Sequence, residues 1–134
     1  MTISKKLRWG GLLGYMLIIF VLSSIPGNTL QETGFFHHDK LLHLIEYGFL
    51  GSLSALLVLH PEKMEAGSVV RMDYALAIGI GWTYAVFDEI HQYFVPGRMM
   101  EMNDFIADAV GVVLGVVAYR WVMKKIFVKQ GSTA

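Results

Sequence analysis

The sequence predicts an all-α, polytopic membrane protein: one domain, 1–134, with four transmembrane helices in an N-in/C-in arrangement. Three observations carry that prediction. Apolar residues make up 54% of the 134 residues and the mean hydropathy is +0.50, high for a water-soluble domain of this size. The apolar residues gather in four stretches, 7–24, 41–59, 72–90 and 105–123, each close to the roughly 20 residues a helix needs to cross a bilayer. Nine of the 11 basic residues fall on one side of those stretches, which fixes an orientation.

The stretches read as helix because each is a continuous apolar run, and backbone groups in lipid must be satisfied within their own segment. Lys5, Lys6 and Arg8 precede the first stretch and Ser23-Ser24 follow it. That resembles a secretory signal, but Pro26 crowds any cleavage point, so the segment is read as a retained helix. The second stretch opens at Asp39 and Lys40. The third is the least apolar, with Asp73 near its start and Asp88 at its end. The fourth opens at Asp104 and ends near Arg120.

Lys63 and Arg71 lie between the second and third stretches, and Arg120, Lys124, Lys125 and Lys129 at or beyond the fourth. Only Lys40 and Arg98 lie on the other side. The positive-inside rule places both termini and the middle loop in the cytoplasm. Eight of the 11 acidic residues then collect at the outer end: Glu32, Asp39, Glu46, Asp88, Glu89, Glu101, Asp104 and Asp108. The net charge is zero and segregated, and no basic face suited to nucleic acid emerges. With no cysteine, a disulfide or a thiolate-ligated metal is excluded.

At helical spacing, Asp39, His43, Glu46 and Tyr47 share one face, continued by Gly51 and Ser54. Gly81, Ala85, Asp88, Glu89 and Gln92 share another, as do Asp104, Asp108, Gly111 and Gly115. Each helix carries a polar outer end above a seam of small residues, and the simplest packing turns these faces inward. Gly10-x-x-x-Gly14 and Gly111-x-x-x-Gly115 permit close helix approach within the chain, with an oligomer through Gly111 and Gly115 as the other use.

An ionisable group in a bilayer costs about 2.5–3.5 kcal/mol on insertion scales, so several together mark a site or a buried polar network. His43, Glu46, Asp88, Glu89 and Gln92 are the candidates for proton transfer. Lys40, Tyr47 and Arg98 are the candidates for holding a ligand. Arg98 follows the Pro96-Gly97 turn, where a guanidinium can grip a phosphate or carboxylate in a fork. Asp39, Asp104 and Asp108 are structural or metal candidates, Asp104 and Asp108 standing one turn apart to orient Arg98 or take Mg²⁺ or Mn²⁺. No cofactor is firmly implied. The His-Glu-x-x-His spacing of zinc proteases is absent, and the reading favours a partly protonated carboxylate network over a metal. His37 and His38, beside Phe35-Phe36, read as solvated; Trp9, Tyr93 and Phe94 read as interfacial anchors.

Four motifs in chain order carry a family resemblance: Ser23-Ser24-x-Pro26, Asp39-Lys40-x-x-His43-x-x-x-Tyr47, Asp88-Glu89-x-x-Gln92-x-Phe94-x-Pro96-Gly97-Arg98, and Asp104-x-x-x-Asp108-x-x-Gly111-x-x-x-Gly115. Together they resemble the VanZ-like family, from about residue 23 to 115. The resemblance implies a small multi-pass protein of the bacterial cytoplasmic (inner) membrane. The family's named member is associated with resistance to the glycopeptide teicoplanin. The family commonly has Asn where this chain has Asp108, which adds a carboxylate here. The expected function is binding or modifying an anionic envelope lipid or cell-wall precursor at the outer end. The alternatives are a metal-dependent membrane transferase or hydrolase, and a non-catalytic structural or interaction protein.

Overall fold

The structure, a computed structural model, describes residues 3–32 and 39–131. Six helices follow one another: α1 Lys5–Ser23, α2 Gly27–Glu32, α3 Asp39–Val58, α4 Pro61–Glu65, α5 Arg71–Tyr93 and α6 Met102–Gly131. No strand occurs among the described residues. The four long helices run antiparallel in turn, since the end of α1 meets the end of α5, and the starts of α3 and α6 meet, through Ser24–His91 and Lys40–Asp104 contacts.

Among the described residues, three helices are long and apolar enough to cross a membrane: Lys5–Ser23, Lys40–Val58 and Met102–Ile126. Four were expected. The remaining long helix, α5, has 23 residues, about 35 Å at 1.5 Å per residue. Asp73, Asp88, Glu89, His91 and Gln92 within it lower its apolar character. Every large apolar residue of α1 except Leu12 and Ile19 is at least partly exposed, and Leu41, Phe49, Leu76, Phe87, Leu114 and Trp121 also point outward. An apolar exterior, with the buried polar groups turned to the bundle interior beside an apolar core, is the arrangement a helix bundle adopts in lipid.

The tightest packing joins α3 to α6, because glycine lets the two backbones touch. A Cβ on Gly115 would collide with the Gly48 carbonyl, one on Gly111 with the Leu44 carbonyl, and one on Gly51 with Val112. Ser52 Oγ, 3.0 Å from the Gly48 carbonyl and 3.1 Å from that of Gly115, shares its proton across the seam. Gly111 and Gly115 are thus engaged inside the chain. Gly10 and Gly14 are not: a Cβ on either would meet nothing, because α1 packs through Leu12 and Ile19 instead.

Helix α5 covers the α3–α6 pair. Ala77, Gly81 and Ala85 are buried, Gly81 sits against the Val112 side chain, and Trp82 Nε1 donates to the Ala109 carbonyl at 3.1 Å. Helix α1 leans on α3 and α5. Tyr15 donates its hydroxyl to the Glu46 carbonyl at 3.1 Å, and Tyr84 donates to the Met16 carbonyl. Both phenols satisfy themselves on main-chain oxygens near the same end of the bundle.

Candidate functional site

The starts of α3 and α6 and the ends of α1 and α5 meet at one end of the bundle, called the acidic end here. Helix termini set its electrostatics. The N-termini of α3 and α6 bring partial positive charge, which favours Asp104 in the first turn of α6. Asp88 and Glu89 sit near the C-terminus of α5, where the helix dipole opposes a negative charge. Nothing in α5 alone favours carboxylates there.

Burial is high for most of the polar side chains that the helical spacing aimed inward, with Glu46 half-buried. His43 is 6% exposed, Asp88 4%, Glu89 2%, Gln92 2%, Asp104 4%, and Tyr47 and Asp108 0%. His43 Nδ1 lies 2.9 Å from Asp108 Oδ1, joining α3 to α6. Gln92 Nε2 donates to Asp88 Oδ2 at 2.9 Å, one turn apart on α5. Glu89 Oε2 accepts the Glu101 main-chain N–H at 3.0 Å. Tyr47 faces Asp88 without a hydrogen bond of full geometry. Glu46 lies within reach of the charges of His43, Asp88, Asp108 and Arg98, so these groups form one electrostatic cluster.

The cluster is only half satisfied. Glu46 Oε1, Asp88 Oδ1, Glu89 Oε1 and Asp108 Oδ2 are buried with no hydrogen-bond partner. A buried polar atom left unpaired costs about 1–3 kcal/mol, more if charged. The Tyr47 hydroxyl, also buried and unpaired, faces Asp88 and can meet one of them; the others require compensation from outside the set, by protons, water or a ligand.

The two cations are held differently. Lys40 Nζ lies 3.0 Å from Asp104 Oδ1 and 3.5 Å from Glu101 Oε2, so its charge is balanced. Arg98 was expected to be oriented by Asp104 or Asp108. It instead donates Nε to the Ile25 carbonyl at 3.3 Å and makes no ion pair among the described residues. The reason is local: Gly97, at φ 75°, turns the chain against Gly27, whose N–H donates to the Pro96 carbonyl at 3.0 Å. A Cβ on Gly27 would collide with the Gly97 carbonyl. The turn therefore locks onto the start of α2, and Arg98 points to the end of α1. Asp39 begins α3, but its side chain, like His37 and His38 entirely, lies outside the described residues.

Sequence reasoning missed Glu101 and the His91 contacts. Glu101 supplies both a main-chain donor to Glu89 and a carboxylate to Lys40. His91 Nε2 is 3.0 Å from Ser24 Oγ, and its ring stacks on Phe20 at 4.4 Å. Ser24 belongs to the Ser23-Ser24-x-Pro26 motif, so that motif had a signal for a contact, though not for its partner.

The VanZ/LLP1 family model matches residues 9–124. The chain belongs to the VanZ/LLP1 family. Its match takes in most of all four long helices and every polar residue of the acidic end. No match is found among curated proteins or solved structures.

Proposed function

We propose that this VanZ/LLP1-family chain is a four-span protein of a bacterial cytoplasmic membrane that binds an anionic envelope lipid or lipid-linked cell-wall precursor at its outward, acidic end. In this reading α5 is the fourth span, held among the others by its small-residue face. Both termini and the 59–70 segment face the cytoplasm, as the division of basic residues requires.

One observation carries the ligand class. Arg98 has no carboxylate partner among the described residues, although the Glu46 carboxyl lies within reach of its charge. A guanidinium beside a bilayer surface, without a counter-ion, suits the forked recognition of a phosphate or carboxylate headgroup. Lys40 is balanced by Glu101 and Asp104 and assists as part of that trio. If the bound molecule is modified, His43, Glu46, Asp88 and Glu89 are placed for proton transfer, with Gln92 and Tyr47 orienting them. A second reading, a metal-dependent transferase or hydrolase, is favoured by the approach of His43, Glu89 and Asp108 to one another.

Native mass spectrometry of the detergent-purified chain tests the first reading, with polyprenyl phosphate and phosphatidylglycerol offered against phosphatidylethanolamine. The anionic lipids should be retained preferentially, and Arg98→Ala should lower their retention about tenfold, the scale of a lost charge-assisted bond. Equal retention of all three lipids, or an unchanged Arg98→Ala, would refute it. Cytoplasmic reporters fused at residue 134 and within 62–70 should be active; an export-dependent reporter working there would overturn the orientation.

A further inference from the structure

We propose that His43, Glu89 and Asp108 form a site for one divalent cation of the Mn²⁺ or Zn²⁺ class. Each residue comes from a different helix, α3, α5 and α6. Each offers one ligand atom, and the three atoms lie within 4.8 Å of one another. His43 Nδ1 and Asp108 Oδ1 stand 2.9 Å apart. Neighbouring ligands on a cation with bonds of about 2.1 Å stand about 3.0 Å apart, and opposite ones about 4.2 Å. The three atoms therefore close on a cation with small side-chain shifts.

The unpaired oxygens give the independent reason to place a ligand there. Glu89 uses Oε2 on the Glu101 N–H and leaves Oε1 buried and free; Asp108 uses Oδ1 toward His43 and leaves Oδ2 buried and free. For Glu89 the anchored oxygen fixes the direction of the free one, as a second contact does for a ligating carboxylate; Asp108 has Oδ1 beside His43 Nδ1, where a neighbouring ligand would stand, and Oδ2 in reserve. The residues are 6%, 2% and 0% exposed, and a divalent cation balances the two carboxylates while leaving the imidazole neutral. Two buried carboxylates without a cation must otherwise be protonated or bear a desolvation cost of several kcal/mol each.

The ligand set selects the ion. An imidazole with carboxylates suits Mn²⁺ or Zn²⁺, whereas Mg²⁺ and Ca²⁺ prefer oxygen alone. The chain has no cysteine to shift the preference toward softer ions. The other histidine–carboxylate pair, His60 and Glu62, lacks these features. It is partly exposed, Arg8 pairs with the same Glu62 oxygen, and it leaves no buried carboxylate oxygen free.

The inference deepens the reading of the acidic end and is tested with the ions alone. The full chain, purified in detergent and stripped with chelator, is dialysed against Mn²⁺, Zn²⁺ or Mg²⁺ and its metal content measured. Uptake of about one Mn²⁺ or Zn²⁺ per chain is expected, with chelation lowering the melting temperature and the same ions restoring it. Glu89→Ala and Asp108→Ala should weaken uptake about tenfold or more, while Glu62→Gln should not change it. The Mn²⁺-loaded wild type should show nitrogen coupling from His43 in pulsed electron paramagnetic resonance, a readout that needs no variant to fold. No stoichiometric uptake, or bound Mn²⁺ without nitrogen coupling, overturns the proposal. No lipid is present, so failure here leaves the Arg98 reading intact. Loss of lipid retention in Arg98→Ala with normal metal uptake tests that reading alone.

Discussion

The two ends of the bundle use the same residue types to opposite effect. At the basic end, where α1 and α5 begin and α3 ends, each clustered carboxylate has a partner, and the unpaired buried atoms are Arg8 Nε and the Tyr119 hydroxyl. Asp73 accepts Lys63 Nζ on one oxygen and the Val70 N–H, at 2.8 Å, on the other. Glu62 accepts Arg8 Nη1 at 3.3 Å and faces His60 Nδ1 at 2.8 Å. Arg120 lies 5.2 Å over the Tyr74 ring. At the acidic end four carboxylates each leave a buried oxygen unmatched, and Arg98 has no counter-ion among the described residues. The basic end is built as caps and ion pairs, which close helix ends and anchor a short connection. The acidic end keeps its carboxylates incomplete, a condition that suits a site completing itself on a ligand.

The seam that joins both ends should give the largest effect when broken. Gly115→Leu forces a side chain into the Gly48 carbonyl, and overpacking at backbone contact should cost about 3 kcal/mol or more. Membrane levels and both ends should fail together. Gly10→Leu, which meets nothing within the chain, should leave the melting temperature unchanged. Quantitative immunoblotting and detergent melting curves compare the two.

A smaller effect should separate the ends. Arg98→Lys retains the charge but loses the planar fork, so it should resemble Arg98→Ala in lipid retention while melting like wild type. Asp73→Ala should do the reverse, lowering the melting temperature by removing the Val70 and Lys63 contacts while leaving lipid retention unchanged. A variant of either end that moved both readouts equally would erase the distinction.

The smallest effect concerns pH. The Glu62 carboxyl is held below its ordinary value, first by its own main-chain N–H and then by His60 and Arg8. A depressed carboxylate pKa adds stability that is present above the unfolded value and is lost as pH falls through the folded one. The melting temperature should therefore decline slightly below about pH 4.5, and the Glu62 share of that decline should vanish in Glu62→Gln.

Much of this architecture was legible because helical periodicity is a local signal. The expected stretches begin within three residues of α1, α3, α5 and α6. The faces with His43, Tyr47 and Ser54, with Asp88, Glu89 and Gln92, and with Asp104 and Asp108 are the buried ones. The end of α6 was not legible. It runs to Gly131 rather than 123, because Lys124 and Lys125 continue as exposed helix, with Lys125 Nζ 3.5 Å over the Trp121 ring. The short helices α2 and α4 lack an apolar period and were passed over. Asp73 was read at the start of its stretch only as a loss of apolar character; it accepts the Val70 N–H there and caps the helix. Pairings across helices were the deepest gap. Spacing says that His43 and Asp108 both face inward, not that they meet. It also suggested Asp104 or Asp108 for Arg98, where a glycine-to-glycine contact at Gly27 and Gly97 decides the matter. The same limit hides a three-helix ligand set, since each helix contributes a single member and no motif spacing exists to recognise.

The central claim is that the acidic end holds its carboxylates for a ligand and not for the fold, and the melting temperature of Glu46→Met tests it most directly. Glu46 Oε1 is buried without a hydrogen bond, and its main-chain carbonyl, which Tyr15 uses, survives the substitution. Replacing an unmatched buried carboxylate with an apolar side chain of similar length should be neutral or stabilising. In detergent and chelator, at pH 7, the variant should melt at or above the wild-type temperature. A drop as large as that of Asp73→Ala would contradict the account and make the acidic end a structural network like its counterpart.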